Sequence, residues 1–224
     1  MGRIRNAAIG DLLSGAAAGQ ATEPLGERAV MLRGFAAAEA PAIMEAVQAI
    51  VAAAPFRNMI TPGGYRMSVA MTSCGRVGWI TDRSGYRYSP VDPDTGLAWP
   101  PMPGLFRTLA ERAAAAGGFP DFVPDSCLIN RYEPGARLSL HQDKDEQDLD
   151  APVVSVALGL PATFLFGGAE RRDRPRRIRM ESGDVAVWGG PTRLAFHGID
   201  TLADGEHSLT GRCRINLTFR KALS

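Results

Sequence analysis

The chain is short of several things, and each shortage closes off a class of protein. Its 224 residues include only three cysteines, Cys74, Cys127 and Cys213, widely spaced and odd in number. They form no CxxC pair and no disulfide framework, which points to a reducing compartment, the cytoplasm, and to small buried hydrophobes rather than a cysteine-built metal site. Net charge is +1, so nothing draws the whole molecule to a polyanion, and any such contact has to come from a local patch. No apolar run approaches the roughly 20 residues needed to span a bilayer. Arg3 and Arg5 precede an alanine-rich stretch with the look of a signal peptide, but Asp11 and several glycines interrupt it. There is no convincing internal repeat, no dinucleotide-binding glycine fingerprint and no P-loop.

What is present reads as one globular domain. Hydrophobic residues make up 45% and charged residues 22%, an ordinary balance for a chain long enough to bury a sizeable core. Residues 1–25 are expected to be a flexible tail and 26–221 a single domain. Within it, Ala36 to Ala54 predicts an amphipathic helix, with Ile43, Val47, Ile50 and Val51 on one stripe and Pro41 tolerable only in its first turn. A second helix is predicted from about Pro103 to Ala116, closed by Gly117-Gly118. Between them, residues 58–103 are rich in glycine, proline, tyrosine and tryptophan, which suits short strands, mobile loops and a lid.

From about residue 126 to 221 the pattern changes to closely spaced strands. Cys127–Tyr132, Val153–Leu160, Ala162–Phe166, Arg177–Met180, Asp184–Trp188, Arg193–His197 and Cys213–Phe219 are separated by glycine-rich turns. The fold class is therefore α+β and mainly β, a sandwich or jelly-roll barrel whose mouth is a common place for a site.

Two imidazoles and a carboxylate stand out against this background. His141-Gln142-Asp143 followed by His197 is the ligand set of the facial triad, which holds a non-haem Fe(II) and leaves positions open. His-x-Asp alone is weak, because His141 also opens a charged run that reads equally as a surface turn. His197 could equally be a strand-end histidine bonded to backbone, and His207, after Asp-Gly, reads as a solvated loop residue. Strand register adds to the case. Side chains two apart share a face, so Arg214, Asn216, Thr218 and Arg220 lie together, as do Asn130 and Tyr132. Outside a sheet such faces are merely solvated; inside a barrel they line a polar pocket. Six residues of strand span roughly 20 Å, so the two arginines need not have equal roles.

These residues belong to longer stretches that resemble the AlkB family of Fe(II)- and 2-oxoglutarate-dependent dioxygenases. The resemblance runs from about Val30 to Lys221. It is carried by Thr61-Pro-Gly-Gly-Tyr, Met67-Ser-Val-Ala-Met-Thr, Tyr88-Ser-Pro, Leu128-Ile-Asn-Arg-Tyr, Leu138-Ser-Leu-His-Gln-Asp-Lys-Asp-Glu, Gly183-Asp-Val-Ala-Val-Trp-Gly-Gly and Asn216-Leu-Thr-Phe-Arg. It implies a double-stranded β-helix (jelly-roll) core with flanking N-terminal helices and a nucleotide-recognition lid. It also implies that His141, Asp143 and His197 bind Fe(II), and that Asn130, Tyr132, Arg214, Asn216 and Arg220 bind 2-oxoglutarate. Substrate contacts would come from Trp79, stacking on the damaged base with His141 on its other face, and from Asp145 at the base's polar edge. Tyr86, Arg87, Tyr88, Arg171, Thr61 and Met71 would complete them. No catalytic acid–base pair is implied beyond the metal centre.

On the residues alone, Trp79 reads equally as a core or surface aromatic, Trp188 as core, Asp145 as one more solvated acid, and Arg171 as part of an exposed basic hairpin. Asp82 departs from some relatives, which carry a basic or neutral residue there; an acid would repel phosphate.

The activity implied is oxidative removal of N-linked methyl groups from bases such as 1-methyladenine and 3-methylcytosine, with O2 and 2-oxoglutarate consumed and formaldehyde and succinate released. Such bases are cationic, which an indole and a carboxylate favour, and they pair poorly, which makes them easier to extrude. The expected partners are single-stranded or locally opened double-stranded DNA, with RNA as a further candidate, and no membrane. The expected state is a cytoplasmic monomer. Two other readings use parts of the same set: a 2-oxoglutarate oxygenase acting on a small molecule or protein, and a non-enzymatic nucleic-acid or metal-binding module.

Overall fold

In the computed structural model of the protein, which describes residues 21–224, two antiparallel sheets face each other and two helices cover the outer face of the larger. The chain enters as β1 (Thr22–Gly26) and β2 (Ala29–Leu32), then forms α1 (Ala40–Ala53), β3 (Ala70–Gly75) and a hairpin of β4 (Gly78–Asp82) and β5 (Gly85–Ser89). After α2 (Gly104–Ala116) come β6 (Ser126–Tyr132), β7 (Leu138–His141), β8 (Val153–Gly159), β9 (Ala162–Phe166) and β10 (Arg176–Met180). The last strands are β11 (Val185–Trp188), β12 (His197–Ile199) and β13 (Arg214–Arg220). The larger sheet runs β1-β2-β11-β8-β13-β6-β3 and the smaller β10-β9-β12-β7, while β4–β5 forms a separate pair. This is the mainly β jelly roll with flanking helices that the sequence suggests.

Alternation along each strand decides what faces the interior. On the larger sheet, Ile129, Val154, Val156, Leu217 and Phe219 pack outward against Ile43 and Val47 of α1 and Phe106 and Leu109 of α2. Their neighbours Leu128, Tyr132, Val153 and Ala157 point inward, toward Phe164, Phe166, Ile178 and Met180 of the smaller sheet. The sheet is thus covered on both faces, which is why β8 and β11 are buried throughout and, Ser155 apart, read as apolar runs. On β13 the same rule turns Ile215, Leu217 and Phe219 to the helices, and so Arg214, Asn216, Thr218 and Arg220 into the barrel.

Several elements differ from expectation for local reasons. Helix α1 starts at Ala40 rather than Ala36, because Pro41 fits only in the first turn and residues 33–39 form turns before it. The predicted strand Arg193–His197 is a strand only from His197; Gly190–Thr192 forms a short 3-10 turn and Arg193 is buried as a hydrogen-bond donor. Of the expected tail, residues 1–20 lie outside those described, and from Thr22 the chain is β1, paired with β2. Within residues 58–103, β3 pairs with β6 at the edge of the larger sheet, and only the β4–β5 hairpin forms a separate pair.

One glycine fixes the position of β12. A Cβ on Gly198 would lie 2.5 Å from the Leu138 carbonyl oxygen on β7, a main-chain atom that cannot swing away. Gly198→Ala is therefore expected to push β12 off β7 and to destabilise the fold by roughly 1–3 kcal/mol, the usual cost of overpacking. Thermal unfolding, with Mn(II) affinity measured alongside, checks this: both should fall, and an unchanged melting temperature would contradict the close approach.

Candidate metal centre and the buried pocket beside it

The pairing of β12 with β7 places His197 directly across from His141. Their ring centroids are 4.4 Å apart, and the Asp143 carboxylate, two residues past His141, reaches both: Oδ1 lies 3.7 Å from His141 Nε2 and Oδ2 3.6 Å from His197 Nε2. One donor atom from each of the three lies within 4.8 Å of the others, a spacing that suits a single metal ion. Each histidine is held in the same way. His141 Nδ1 is 2.9 Å from the Ser139 carbonyl and His197 Nδ1 is 2.9 Å from the Ala195 carbonyl. A carbonyl can only accept, so both Nδ1 atoms carry the proton and both Nε2 lone pairs are directed to the shared space. His197 is buried, whereas the His141 side chain is 34% exposed and can be approached from outside.

Charge around this cluster is dense and balanced. Burial alone would raise the Asp143 pKa, but Arg220, both histidines and Arg193 outweigh it and hold the carboxyl well below the usual range. Arg220 donates from Nε to Asp143 Oδ2 at 2.8 Å, and its Nη2 stands 2.8 Å from the same oxygen as an ion pair. Burial would also lower the Arg220 pKa, but Asp143, Tyr88 and Glu146 raise it further than burial lowers it. Two members of this set, Glu146 and Arg193, were not anticipated from sequence. Glu146 hides in the charged run His141–Asp148, where the sequence gives no sign that Asp143 and Glu146 are buried while Lys144 and Asp145 are exposed.

At the other end of β13 lies a second polar region with a different character. Arg214 is completely buried opposite Tyr132, and its Nε and Nη1 have no hydrogen-bond partner among the described residues. Burial pulls its pKa down to about 10, so it is still a cation at neutral pH. Asn130, opposite Asn216, has an unpartnered Oδ1, while Asn216 is anchored by bonds to Ser155 Oγ and the Val156 carbonyl. Burial raises the pKa of the Tyr132 phenol, which stands on β6 across from Arg214. An unpaired buried guanidinium is costly. A small dicarboxylate is the chemistry that would relieve it, so the donor set fits 2-oxoglutarate as the three ligands fit Fe(II).

The remaining predicted positions are spread around the opening. Trp79 on β4 donates from Nε1 to Asp145 Oδ2 at 2.8 Å and stacks on Tyr86, centroids 5.6 Å apart. Tyr86 is half exposed, and Tyr88 is turned inward with its hydroxyl 2.6 Å from Glu146 Oε1. Arg87 is engaged twice with Asp82, at 2.6 and 3.1 Å, which neutralises that acid. Arg171 lies over the Phe196 ring at 5.1 Å, next to His197, and the loop that carries it is pinned by main-chain bonds between Phe196 and Gly167 and Gly168. Thr61 closes a turn with Tyr65, and Met71 is buried in the inner cluster across from Asn130.

A jelly roll that gathers two imidazoles and a carboxylate beside a buried cationic pocket defines a class, the mononuclear iron oxygenases that use a keto acid. The family description "2OG-Fe(II) oxygenase superfamily" matches residues 28–220. The chain is 59% identical over 200 residues to the alpha-ketoglutarate-dependent dioxygenase AlkB of Escherichia coli (strain K12), covering 89% of this chain and 93% of that one. It is 33% identical over 189 residues to the DNA N(6)-methyladenine demethylase ALKBH1C of Arabidopsis thaliana, covering 70% of this chain and 41% of the relative. Among solved structures, that of OsALKBH1 superimposes with a TM-score of 0.79 at 28% identity, covering 90% of this chain and 100% of that one. The chain belongs to the 2OG-Fe(II) oxygenase superfamily and, within it, to the AlkB dioxygenases.

The buried imidazole has a consequence for stability. Burial, with His141 beside it, lowers the His197 pKa from 6.5 to about 4. As pH falls, the unfolded chain takes up this proton before the folded one does. The stability held by the neutral ring is therefore whole above about pH 6.5 and lost progressively toward pH 4. Metal-free protein should melt at steadily lower temperature across that window, and His197→Asn should flatten the profile. An equal slope in the variant would contradict the shift.

Proposed function

We propose that the protein repairs alkylated nucleic acid by oxidative demethylation of N-methylated bases, with His141, Asp143 and His197 as the iron ligands and the inward face of β13 as the keto-acid site. The observation that carries this reading is Arg214, a buried cation with two unpartnered nitrogens, set in the same barrel as the three ligands. When bound, Fe(II) with 2-oxoglutarate and O2 supplies the oxidation of the methyl carbon, after which formaldehyde, succinate and CO2 leave.

The chain's own residues bind, orient and exclude water. Arg214 and Tyr132, with Asn130 and Asn216, hold the keto acid in the barrel. Arg220 donates from Nε to Asp143 Oδ2 and keeps Nη2 within 2.8 Å of it, so its part is to steady that carboxylate and bring positive charge to the pocket. The main-chain bonds to both Nδ1 atoms keep the imidazoles neutral at Nε2 and correctly turned. Outside the barrel, Trp79 offers a ring braced on one side by Tyr86, and Asp145 offers a carboxylate at the indole's edge. Ring and carboxylate together favour a cationic methylated base over its neutral parent. Arg171, beside the opening, faces a phosphate, and Thr61, Met71, Tyr86, Arg87 and Tyr88 shape or support the clamp. Single strands and readily opened duplexes are the expected form of the substrate, since the base has to leave its stack. Its unpaired cysteines suit a reducing cytoplasm, and the protein is read as a monomer by default.

Formaldehyde release from a single-stranded oligonucleotide carrying one 1-methyladenine, with Fe(II), ascorbate and 2-oxoglutarate, tests the proposal. Release is expected to require 2-oxoglutarate and to vanish in Asp143→Ala. Succinate without formaldehyde would keep the oxygenase and replace the substrate by a small molecule or protein. Neither product from iron-loaded protein would overturn the metal assignment.

A further inference from the structure

We propose that Glu146 is a positioning residue that ties the β4–β5 hairpin to the metal-binding aspartate. The inference rests on the metal reading above. Glu146 belongs to a run of charged residues, yet its side chain is only 2% exposed. A buried carboxylate is costly unless it is paired and hydrogen-bonded, and here two groups donate to it and a second guanidinium stands close. Arg193 Nη2 lies 3.0 Å from Oε2, the Tyr88 hydroxyl 2.6 Å from Oε1, and Arg220 Nε 3.4 Å from Oε1.

Each partner leads somewhere else. Arg220 also holds the Asp143 carboxylate, and Arg193 Nη1 donates to the Asp143 carbonyl at 2.6 Å. Glu146 therefore shares both of its guanidinium partners with Asp143, one through the side chain and one through the main chain. Tyr88 leads to the hairpin. It is paired directly across from Trp79, and these two neighbours bond consecutive acids: Trp79 to Asp145 and Tyr88 to Glu146. Among the described residues the hairpin has no sheet partner outside itself, so these two bonds are specific ties between it and the segment that carries Asp143.

Two consequences follow from charge and linkage. Without the Glu146 charge, Arg193 and Arg220 become two buried cations facing one carboxylate, an arrangement that disfavours an incoming divalent cation. With Tyr88 bonded to the same carboxylate, metal binding and hairpin closure are coupled, and the coupling acts in both directions.

The test uses Co(II) as the probe on the full chain, with the visible absorption of bound cobalt, Co(II) affinity, and hydrogen exchange of residues 78–89 as readouts. Glu146→Gln keeps the shape and removes the charge; it should weaken Co(II) binding about 10–100-fold and shift the cobalt absorption. Tyr88→Phe should speed exchange in the hairpin and abolish the slowing that Co(II) produces there in the unaltered protein. Unchanged affinity and spectrum in Glu146→Gln would overturn the proposal. If that variant does not fold, Tyr88→Phe decides, and hairpin exchange that still responds to Co(II) as in the unaltered protein would overturn it. Failure of the unaltered protein to bind Co(II) would instead remove the metal reading, and the inference with it.

Discussion

The chemistry of this protein depends on β12 lying close enough to β7 for His197 to stand opposite His141. Both strands are short, and neither would specify a site alone. Gly198 permits the approach, and a main-chain carbonyl two residues before each histidine turns its ring. Asp143 then completes the set from just beyond the end of β7. Sheet pairing fixes the two imidazoles, while Asp143, in the segment after β7, is held by its bonds with Arg220 and Arg193.

Burying this much charge imposes a second layer of organisation. Near the histidines the charges are matched: Asp143 and Glu146 are held between Arg193 and Arg220, and every member is nearly enclosed. At the far end of β13 they are not matched, because Arg214 has unpartnered nitrogens and lies beside Tyr132 and Met180. The contrast separates a region that supports the ligands from one suited to receive an anion. It gives the two arginines, far apart on one strand, different surroundings: Arg220 faces Asp143 and Glu146, and Arg214 faces Tyr132.

Much of this was legible in the sequence because it follows short periods. The alternation on β13 needed only the rule that side chains two apart share a face, and the choice between an outer and an inner polar face was settled by the apolar partners of Ile215, Leu217 and Phe219. What was not legible depends on distant partners. Glu146 is buried because Arg193, Arg220 and Tyr88 converge on it, and nothing in its own neighbourhood marks it out from Asp145. Arg193 looked like the start of a strand, yet its side chain bridges Ala151 and Asp143 instead. Strands β1, β2 and β7 are short, and their identity comes from pairing rather than from pattern. Pro41 foretold the true start of α1, although the alanine-rich stretch before it suggested a longer helix.

If Arg214 is unpaired so that it can bind an acid, calorimetric titration of 2-oxoglutarate into Mn(II)-loaded protein will show it. Arg214→Met should weaken 2-oxoglutarate about 100-fold, the scale for losing one partner of a buried charged pair. Its melting temperature without the acid should hold or rise, because an uncompensated cation has been removed. Undiminished affinity together with a lower melting temperature would make Arg214 a structural residue and contradict the account.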